Sequence, residues 1–414
     1  MARILIVGGS GFIGRHVMAA LRAAGHDVDA PGRRELDLAR VDEAGLWPLL
    51  AGTDCIVNCA GLVAGAGMDD VHNRGVAALL KAAEAAGVQR LIHISALGAS
   101  ADGGTRYYRT KGAGEEVFRV YAGVVPEACV LRPSLVIGRG GASTAILSAL
   151  AALPLRPLIG EGRVQPIHIA DFAALTVELV EAAGPLPRFL DVTGPRPMDI
   201  DAVAAALGRW LGLKRRPSVR MPAFLLKAMA AFGGLVPRSP LNRETLAMLR
   251  RGNTASAEGV TRILGRPPRT LADALAADPA YEADRQAARL YFLRPVLRIS
   301  LSLMWIVTGL VSFGLYPLEK SYALMAQIGL AGLPADAALY GAAVLDTLLG
   351  VLLLIRWRPV AVGAAQLALM AAFTLLATRL PAEYWLHPFA PLVKNLPIAA
   401  ATLAMMAMED RHVR

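Results

Sequence analysis

The architecture this 414-residue chain predicts is α/β: a doubly wound parallel sheet with a small substrate lobe, followed by an all-α four-helix transmembrane bundle. Three observations predict it. An apolar run at 4–7 leads directly into glycines at 8, 11 and 14 and then into a helical stretch ending near residue 24. Strand-like and helix-like segments then alternate to about residue 183, the pattern of a parallel sheet covered by helices. Beyond residue 295 come four long apolar segments, 296–316, 337–355, 359–378 and 391–408, each near the roughly 20 residues that cross hydrocarbon.

The opening strand, turn and helix carry the first functional reading. Gly8, Gly11 and Gly14 let the turn take unusual backbone angles, let the chain approach a pyrophosphate and let the helix pack close on the strand. The helix start, at Phe12 and Ile13, then offers free N–H groups and a partial positive charge to phosphate. A dinucleotide site follows from this context. Residues 26–30 read as the second strand, closed off from the helix by Gly25. Asp29 there suits a free ribose and Arg33-Arg34 suits a 2′-phosphate. The register puts Arg33 just past the strand and leans the cofactor to NADP over NAD, the other reading being an exposed arginine pair.

Further on, Leu36-Asp37-Leu38 reads as the end of a third strand, with Asp37 and Leu38 near an adenine ring. Residues 54–58 read as a fourth strand running into Ala60 and Gly61, whose small size leaves room for the cofactor. A helix from Asn73 to residue 86 is closed by Gly87, and residues 90–95 read as a buried fifth strand. Tyr107 and Lys111 follow, four apart and so on one helix face. An ammonium there lowers the phenol's pKa and can hold the nicotinamide ribose, which makes the tyrosine a usable acid or base.

Composition narrows the partners. The net charge is +10, with basic residues concentrated between 214 and 298, just ahead of the apolar segments. Either they meet anionic headgroups or they form a solvated basic face. No aromatics are interleaved with them, which argues against nucleic acid. The three cysteines, Cys55, Cys59 and Cys129, lie in or beside apolar strands without metal-ligand spacing and read as buried thiols of a reducing compartment. Nothing at the N-terminus has the form of a cleavable signal.

The motifs Gly8-X-X-Gly11-X-X-Gly14, Asn58-Cys-Ala-Gly61, Tyr107-X-X-X-Lys111 and Leu131-Arg-Pro133 stand in the order seen in extended and atypical short-chain dehydrogenases/reductases. The resemblance to these Rossmann enzymes covers about residues 2–275. It is closest, in Ser95-Ala-Leu-Gly-Ala and Tyr107-Tyr-Arg-Thr-Lys-Gly-Ala-Gly-Glu, to the group containing the nucleotide-binding accessory subunit of respiratory complex I and its bacterial relatives. By that resemblance Tyr107 is the acid/base, Lys111 its partner, and Pro133 lies near the nicotinamide. The chain departs from active members at Leu97, where they carry serine or threonine to hold the substrate oxygen. Ser95 and Ser100 are the available substitutes.

The rest of this half resembles the family's substrate lobe. Asp171 reads as the cap of a helix over 172–183, and His168 as a packed core histidine. The apolar stretch 221–236, bracketed by Arg220 and Arg238, reads either as an interfacial segment or as a substrate-lobe helix. The domain plan is thus 1–275 for nucleotide and substrate lobe, 276–295 for a linker, and 296–414 for the membrane.

Arg289, Arg294 and Arg298 precede the first apolar segment, Arg356 and Arg358 fill the second loop, and Arg411 and Arg414 follow the last. Positive-inside counting puts the nucleotide domain and both termini on the cytoplasmic side of a bacterial-type inner membrane, with several passes. Asp346 falls mid-segment, where a carboxylate must be neutral, paired or facing a polar cavity; Lys394, Asn395, Glu383 and His387 are its candidate partners. Over about 290–408, including Lys394-Asn-Leu-Pro397, the chain resembles the DoxX-like membrane domain, whose relatives are associated with quinone-linked oxidation. Two readings follow. One is a membrane-anchored NAD(P)-dependent oxidoreductase acting on quinone or another lipid-soluble or membrane-delivered substrate. The other is a nonenzymatic nucleotide-binding accessory or assembly factor of a membrane redox complex.

Overall fold

The computed structural model describes residues 1–120, 125–160, 162–222, 224–225, 228, 243–380 and 392–409. Most of the 221–236 stretch, with Arg238, Glu383, His387, Arg411 and Arg414, lies outside the described residues. The chain divides into two units, Met1–Ala288 and Arg289–Arg414.

The first unit is built on β1 (Arg3–Val7), β2 (Asp27–Asp29), β3 (Cys55–Asn58), β4 (Arg90–Ile94) and β5 (Glu127–Pro133). The short strands β6 (Val136–Ile137), β7 (Arg156–Leu158), β8 (Arg163–Val164) and β9 (Ile167–His168) lie apart, and β10 (Phe189–Val192) completes the main sheet. Its order is β10-β5-β4-β3-β1-β2, with every pairing parallel. The period-2 alternation of β1 sorts its side chains between two cores. Ile4 and Ile6 pack with Val17 and Leu21 of α1 (Phe12–Ala23) and with Phe172 of α6 (Ile169–Glu181). Leu5 and Val7 pack on the opposite face with Leu46 and Leu50 of α2 (Glu43–Leu50), Leu79 and Leu80 of α3 (Gly75–Ala85), and Phe118 of α4 (Arg106–Val120). The doubly wound sheet is therefore as the alternation implies. A third core, around Ile137, Leu147, Val164, Val203 and Leu207, joins α5 (Ala142–Ala152) to α7 (Ile200–Trp210).

Two local readings need correcting. Residues 36–38 are not a strand. The Asp37 carboxylate accepts from Ala39 N–H at 3.1 Å and its carbonyl accepts from Arg40 and Val41, so an aspartate-driven turn replaces the ladder. Leu36 and Leu38 are buried as plugs on α2 and α3, so 55–58 is the third strand and 90–94 the fourth. Asp171 does not cap α6 either. The cap is His168, whose Nδ1 accepts from Ala170 N–H at 3.3 Å. Asp171, fully buried one turn inside, accepts from Arg266 Nη2 at 2.8 Å and from Arg269 N and Nε at 2.9 and 3.0 Å.

The end of the first unit is not slack chain. Arg139 pairs with Asp278 at 2.8 Å and Asp284 at 3.2 Å, and Trp210 donates to the Asp278 carbonyl at 2.6 Å. The amphipathic helix Glu282–Leu290 follows directly.

In the second unit, Leu293–Leu315, Leu333–Leu354 and Pro359–Ala377 are long and apolar enough to cross a membrane. Among the described residues the fourth apolar segment forms the helix Asn395–Glu409, whose 15 residues give roughly 22 Å at 1.5 Å per residue. A short helix, Leu318–Gln327, occupies the first loop. The turn between the second and third spans is tight enough to put Arg356 and Arg358 at φ 63° and 40°. Arg298 and Arg356 both bond Glu409, at 3.1 and 2.9 Å.

Candidate functional site

The connection from β1 runs to β2 on one side of the sheet and the chain then crosses to β3 on the other, which opens a crevice at their carboxyl ends. The glycine turn lies there. Gly8, at φ +79°, is so close to the next loop that a Cβ would stand 2.9 Å from Ala60 backbone atoms. A Cβ on Gly14 would stand 2.3 Å from the Gly8 carbonyl, and one on Gly9 2.8 Å from the Ala30 methyl at the end of β2. Gly11 sits at the N-cap of α1 with no side chain bonded to the free N–H groups of Phe12, Ile13 and Gly14. Uncapped donors over a close-packed glycine turn fit a pyrophosphate.

Arg33 lies beyond β2 on an open depression of about 630 Å³ that it lines with Arg34, Asp37 and Arg40. Its guanidinium is largely exposed and makes a 3.3 Å bond to Asp37. Leu38 is buried beneath, its carbonyl against Gly75.

The other wall is α4. It packs closely because Gly112 and Gly114 leave no Cβ to strike the Ser100 and His72 backbones, 2.3 and 2.1 Å from where one would stand. Lys111 is thereby buried to 3% exposure, its Nζ donating to the Ile94 carbonyl at 2.7 Å and lying 3.3 Å from where a Gly61 Cβ would be. The lysine thus joins the ends of β3 and β4. Burial pushes its amine down to about 8, against the pull of Glu115 and Cys59. Tyr107 starts the same helix face, half-buried, with its ring edge-on to His72 at 5.8 Å. The lowering of the phenol expected from Lys111 is not realised: burial raises it, and Tyr108 adds to the rise. The ammonium is directed at the Ile94 carbonyl instead.

Ser95 is buried and committed. Its hydroxyl donates to Glu115 at 2.6 Å, and Glu115 also accepts from Arg132 Nε at 3.0 and 3.1 Å and from Nη2. Ser100 is exposed, Leu97 half-buried with its N–H on the Pro133 carbonyl at 2.9 Å. Pro133, buried, ends β5 opposite Val192.

Two side chains important here escaped the sequence reading. His72 Nε2 accepts from Leu62 N–H at 2.9 Å, leaving Nδ1–H to donate to Thr110 at 2.9 Å, while Thr110 donates to the Tyr107 carbonyl at 3.1 Å. Burial, then Lys111, pushes its pKa down to about 3, so it stays neutral and ties the loop after β3 to α4. Glu115 was visible only as one helical turn past Lys111; its pairing with Arg132 depends on β5 lying beside β4.

This is the cradle of a nucleotide-binding Rossmann domain, and comparison with known proteins agrees. Residues 4–189 match the NAD dependent epimerase/dehydratase family and residues 302–403 the DoxX-like family. The chain therefore joins an epimerase/short-chain-dehydrogenase-like NAD(P)-binding domain to a DoxX-like membrane domain. Among curated proteins it is 32% identical to a ceramide reductase of Caulobacter vibrioides, over 42% of this chain and 59% of that one. It is 27% identical to the Arabidopsis thaliana mitochondrial NADH dehydrogenase [ubiquinone] 1 alpha subcomplex subunit 9, over 55% and 62%. The chain thus spans about three-fifths of these relatives. Among solved structures, the NADP complex of dTDP-4-dehydrorhamnose reductase from Bacillus anthracis shares the fold at TM-score 0.53 and 13% identity, over 67% of this chain and 98% of that one.

Proposed function

We propose that the chain is a membrane-anchored NAD(P)-dependent oxidoreductase acting on a lipid-soluble or membrane-delivered substrate. The observation that carries this reading is the placement of Lys111, buried between the ends of β3 and β4 beside the glycine turn and one helical turn from Tyr107. Gly8, Gly11, Phe12, Ile13 and Gly14 would hold the pyrophosphate, and Asp37 and Leu38 the adenine side. Ala60, Gly61 and Pro133 would line the nicotinamide side. Arg33 would receive a 2′-phosphate, which favours NADP over NAD. The bound dinucleotide supplies or accepts hydride. Lys111 orients the ribose, and Tyr107 passes a proton to or from the substrate oxygen at its phenol. His72 and Thr110 hold the Tyr107 backbone in place. The DoxX-like unit would keep the substrate within reach of the bilayer, with the nucleotide domain and both termini in the cytoplasm.

A second reading has its own support: Leu97 in place of a hydroxyl side chain, with Ser95 bonded to Glu115, leaves the substrate oxygen without its usual second donor. The chain would then be a nucleotide-holding accessory or assembly factor of a membrane redox complex, as the name of the Arabidopsis relative suggests. Oxidation of bound NADPH in the detergent-purified protein, with a short-chain quinone as acceptor, separates the two. Turnover that falls about 100-fold or more in Tyr107→Phe while nucleotide affinity holds supports the enzyme. Nucleotide that stays bound and reduced assigns the accessory role.

A further inference from the structure

The helix that carries Tyr107 and Lys111 bears a second tyrosine, whose hydroxyl the chemistry above leaves unused. Tyr108 is 2% exposed. Its side chain lies against two glycines of the loop after β4. A Cβ on Gly103 would stand 2.6 Å from the Tyr108 Cβ, and one on Gly98 would stand 3.4 Å from two ring carbons and 3.7 Å from the hydroxyl. The backbone of Tyr108 is fixed: its N–H donates to Thr105 Oγ1 at 3.2 Å, and its carbonyl accepts from Ser100 N–H at 3.2 Å. The hydroxyl has no hydrogen-bond partner among the described residues, although a tyrosine this buried ordinarily finds one.

Three observations put that hydroxyl on the substrate side of the cradle. Gly98, beside it, directly follows Leu97, the position without a hydroxyl side chain. The Tyr107 and Tyr108 rings are 5.7 Å apart and inclined at 54°, so the two phenols are neighbours. The third is Arg251, the last residue of the helix Arg243–Arg251, whose Nη1 lies 3.9 Å from where a Gly104 Cβ would be. This helix is held at both ends. Glu244 accepts from the Arg106 N–H at the start of α4 at 3.0 Å. Past Gly252, the Asn253 N–H donates to the Arg163 carbonyl at 2.8 Å, and the Asn253 carbonyl accepts from the hydroxyl of Ser134, the neighbour of Pro133, at 2.7 Å. Burial raises the Tyr108 phenol above its ordinary 10, against the Arg251 guanidinium, which lowers it. The phenol therefore keeps its proton at neutral pH and is a donor. The serines that could take its place are otherwise disposed: Ser95 donates to Glu115, and exposed Ser100 accepts from the Asp102 N–H at 3.3 Å.

We propose that Tyr108 is the second hydrogen-bond donor to the substrate, its hydroxyl and that of Tyr107 meeting at one carbonyl oxygen. Tyr107 exchanges the proton and Tyr108 keeps its own. The inference rests on the oxidoreductase reading and supplies the donor that Leu97 lacks. A carbonyl oxygen has two lone pairs and accepts from both phenols, and two donors stabilise the negative charge it gathers as hydride arrives. Arg251 adds positive charge at the same rim.

The test uses the full-length, detergent-purified protein and a short-chain quinone labelled at its carbonyl carbons. Isotope-edited infrared spectroscopy reads the carbonyl stretch with oxidised NADP bound, so that nothing is turned over. Bound quinone should show a band at lower wavenumber than free quinone. Tyr108→Phe, which keeps the ring against Gly98, should move that band partway back, as should Tyr107→Phe. With NADPH, Tyr108→Phe should lower kcat/KM about tenfold or more at unchanged nucleotide affinity. A Tyr108→Phe band equal to wild type, with Tyr107→Phe still altered, overturns the assignment and leaves the oxidoreductase reading standing. That holds even if the rate falls, because the tyrosine would then act only through the fold. Displacement of the band by Ser100→Ala in place of Tyr108→Phe also overturns it. A wild-type protein that shows no bound-quinone band and leaves NADPH reduced overturns both the assignment and the oxidoreductase reading.

Discussion

The effect on stability of replacing Lys111 with methionine should change sign between neutral and alkaline pH. Folding takes the amine from its ordinary 10.5 to about 8, with burial as the leading cause. Between those values the unfolded chain binds the extra proton, so the contribution of Lys111 to native stability rises with pH across the window. Below about pH 8 both states are protonated and the whole cost of the buried ammonium remains, about 3 kcal/mol for a shift of this size. Lys111→Met removes that cost but also the bond to the Ile94 carbonyl, worth about 1 kcal/mol. The variant should therefore be more stable than the wild type at pH 7 by about 2 kcal/mol, and less stable by about 1 near pH 10.5. Cys55, Cys59 and Cys129, each pushed up to about 12 by burial, act in the opposite sense above pH 9, and their contribution largely cancels in the difference between the two proteins. Thermal unfolding of the nucleotide domain in the full-length protein, followed by near-ultraviolet circular dichroism from pH 7 to 10.5, reads the crossing. Parallel curves for wild type and variant would refute the buried ammonium.

Gly14→Ala should abolish nucleotide binding by equilibrium dialysis, because the new methyl would meet the Gly8 carbonyl 2.3 Å away in the turn that must hold the pyrophosphate. Arg33→Ala should weaken NADP by about tenfold while leaving NAD nearly unchanged, a ratio titration calorimetry reads directly. Asp171→Asn should destabilise by about 2–4 kcal/mol in chemical denaturation, since a fully buried carboxylate answers both Arg266 and Arg269. The two arginines and the Arg269 N–H hold that carboxyl below its ordinary 3.8 against burial, which raises it. Its contribution is therefore complete above pH 3.8, is lost as pH falls through the lower native value, and should be missing from the acid limb of the variant.

What could be seen in the sequence followed from local rules. Glycines at 8, 11 and 14 after an apolar run specify the turn without reference to the rest of the chain, as does the four-residue spacing of Tyr107 and Lys111. The misreadings came from residues whose role is decided elsewhere. Leu36 and Leu38 look like strand because they are apolar and alternate with Asp37, yet that carboxylate satisfies the backbone of a turn and the leucines plug a helical layer. Asp171 has the type and place of a cap, but two arginines nearly 100 residues later in the chain claim it. His72 carries no motif; its value lies in contacts to Leu62 and Thr110, which become neighbours only once α4 packs on the loop after β3.

The buried polar side chains of the nucleotide cradle bear on what it can do. Around the nucleotide cradle Asn58, His72, Ser95, Lys111 and Glu115 are all bonded to protein partners, so the walls are rigid before anything binds. A fully answered network fixes geometry, which catalysis by Tyr107 would require to within a few tenths of an ångström. The backbone N–H groups at the start of α1 have no side-chain cap, which leaves them for a bound phosphate.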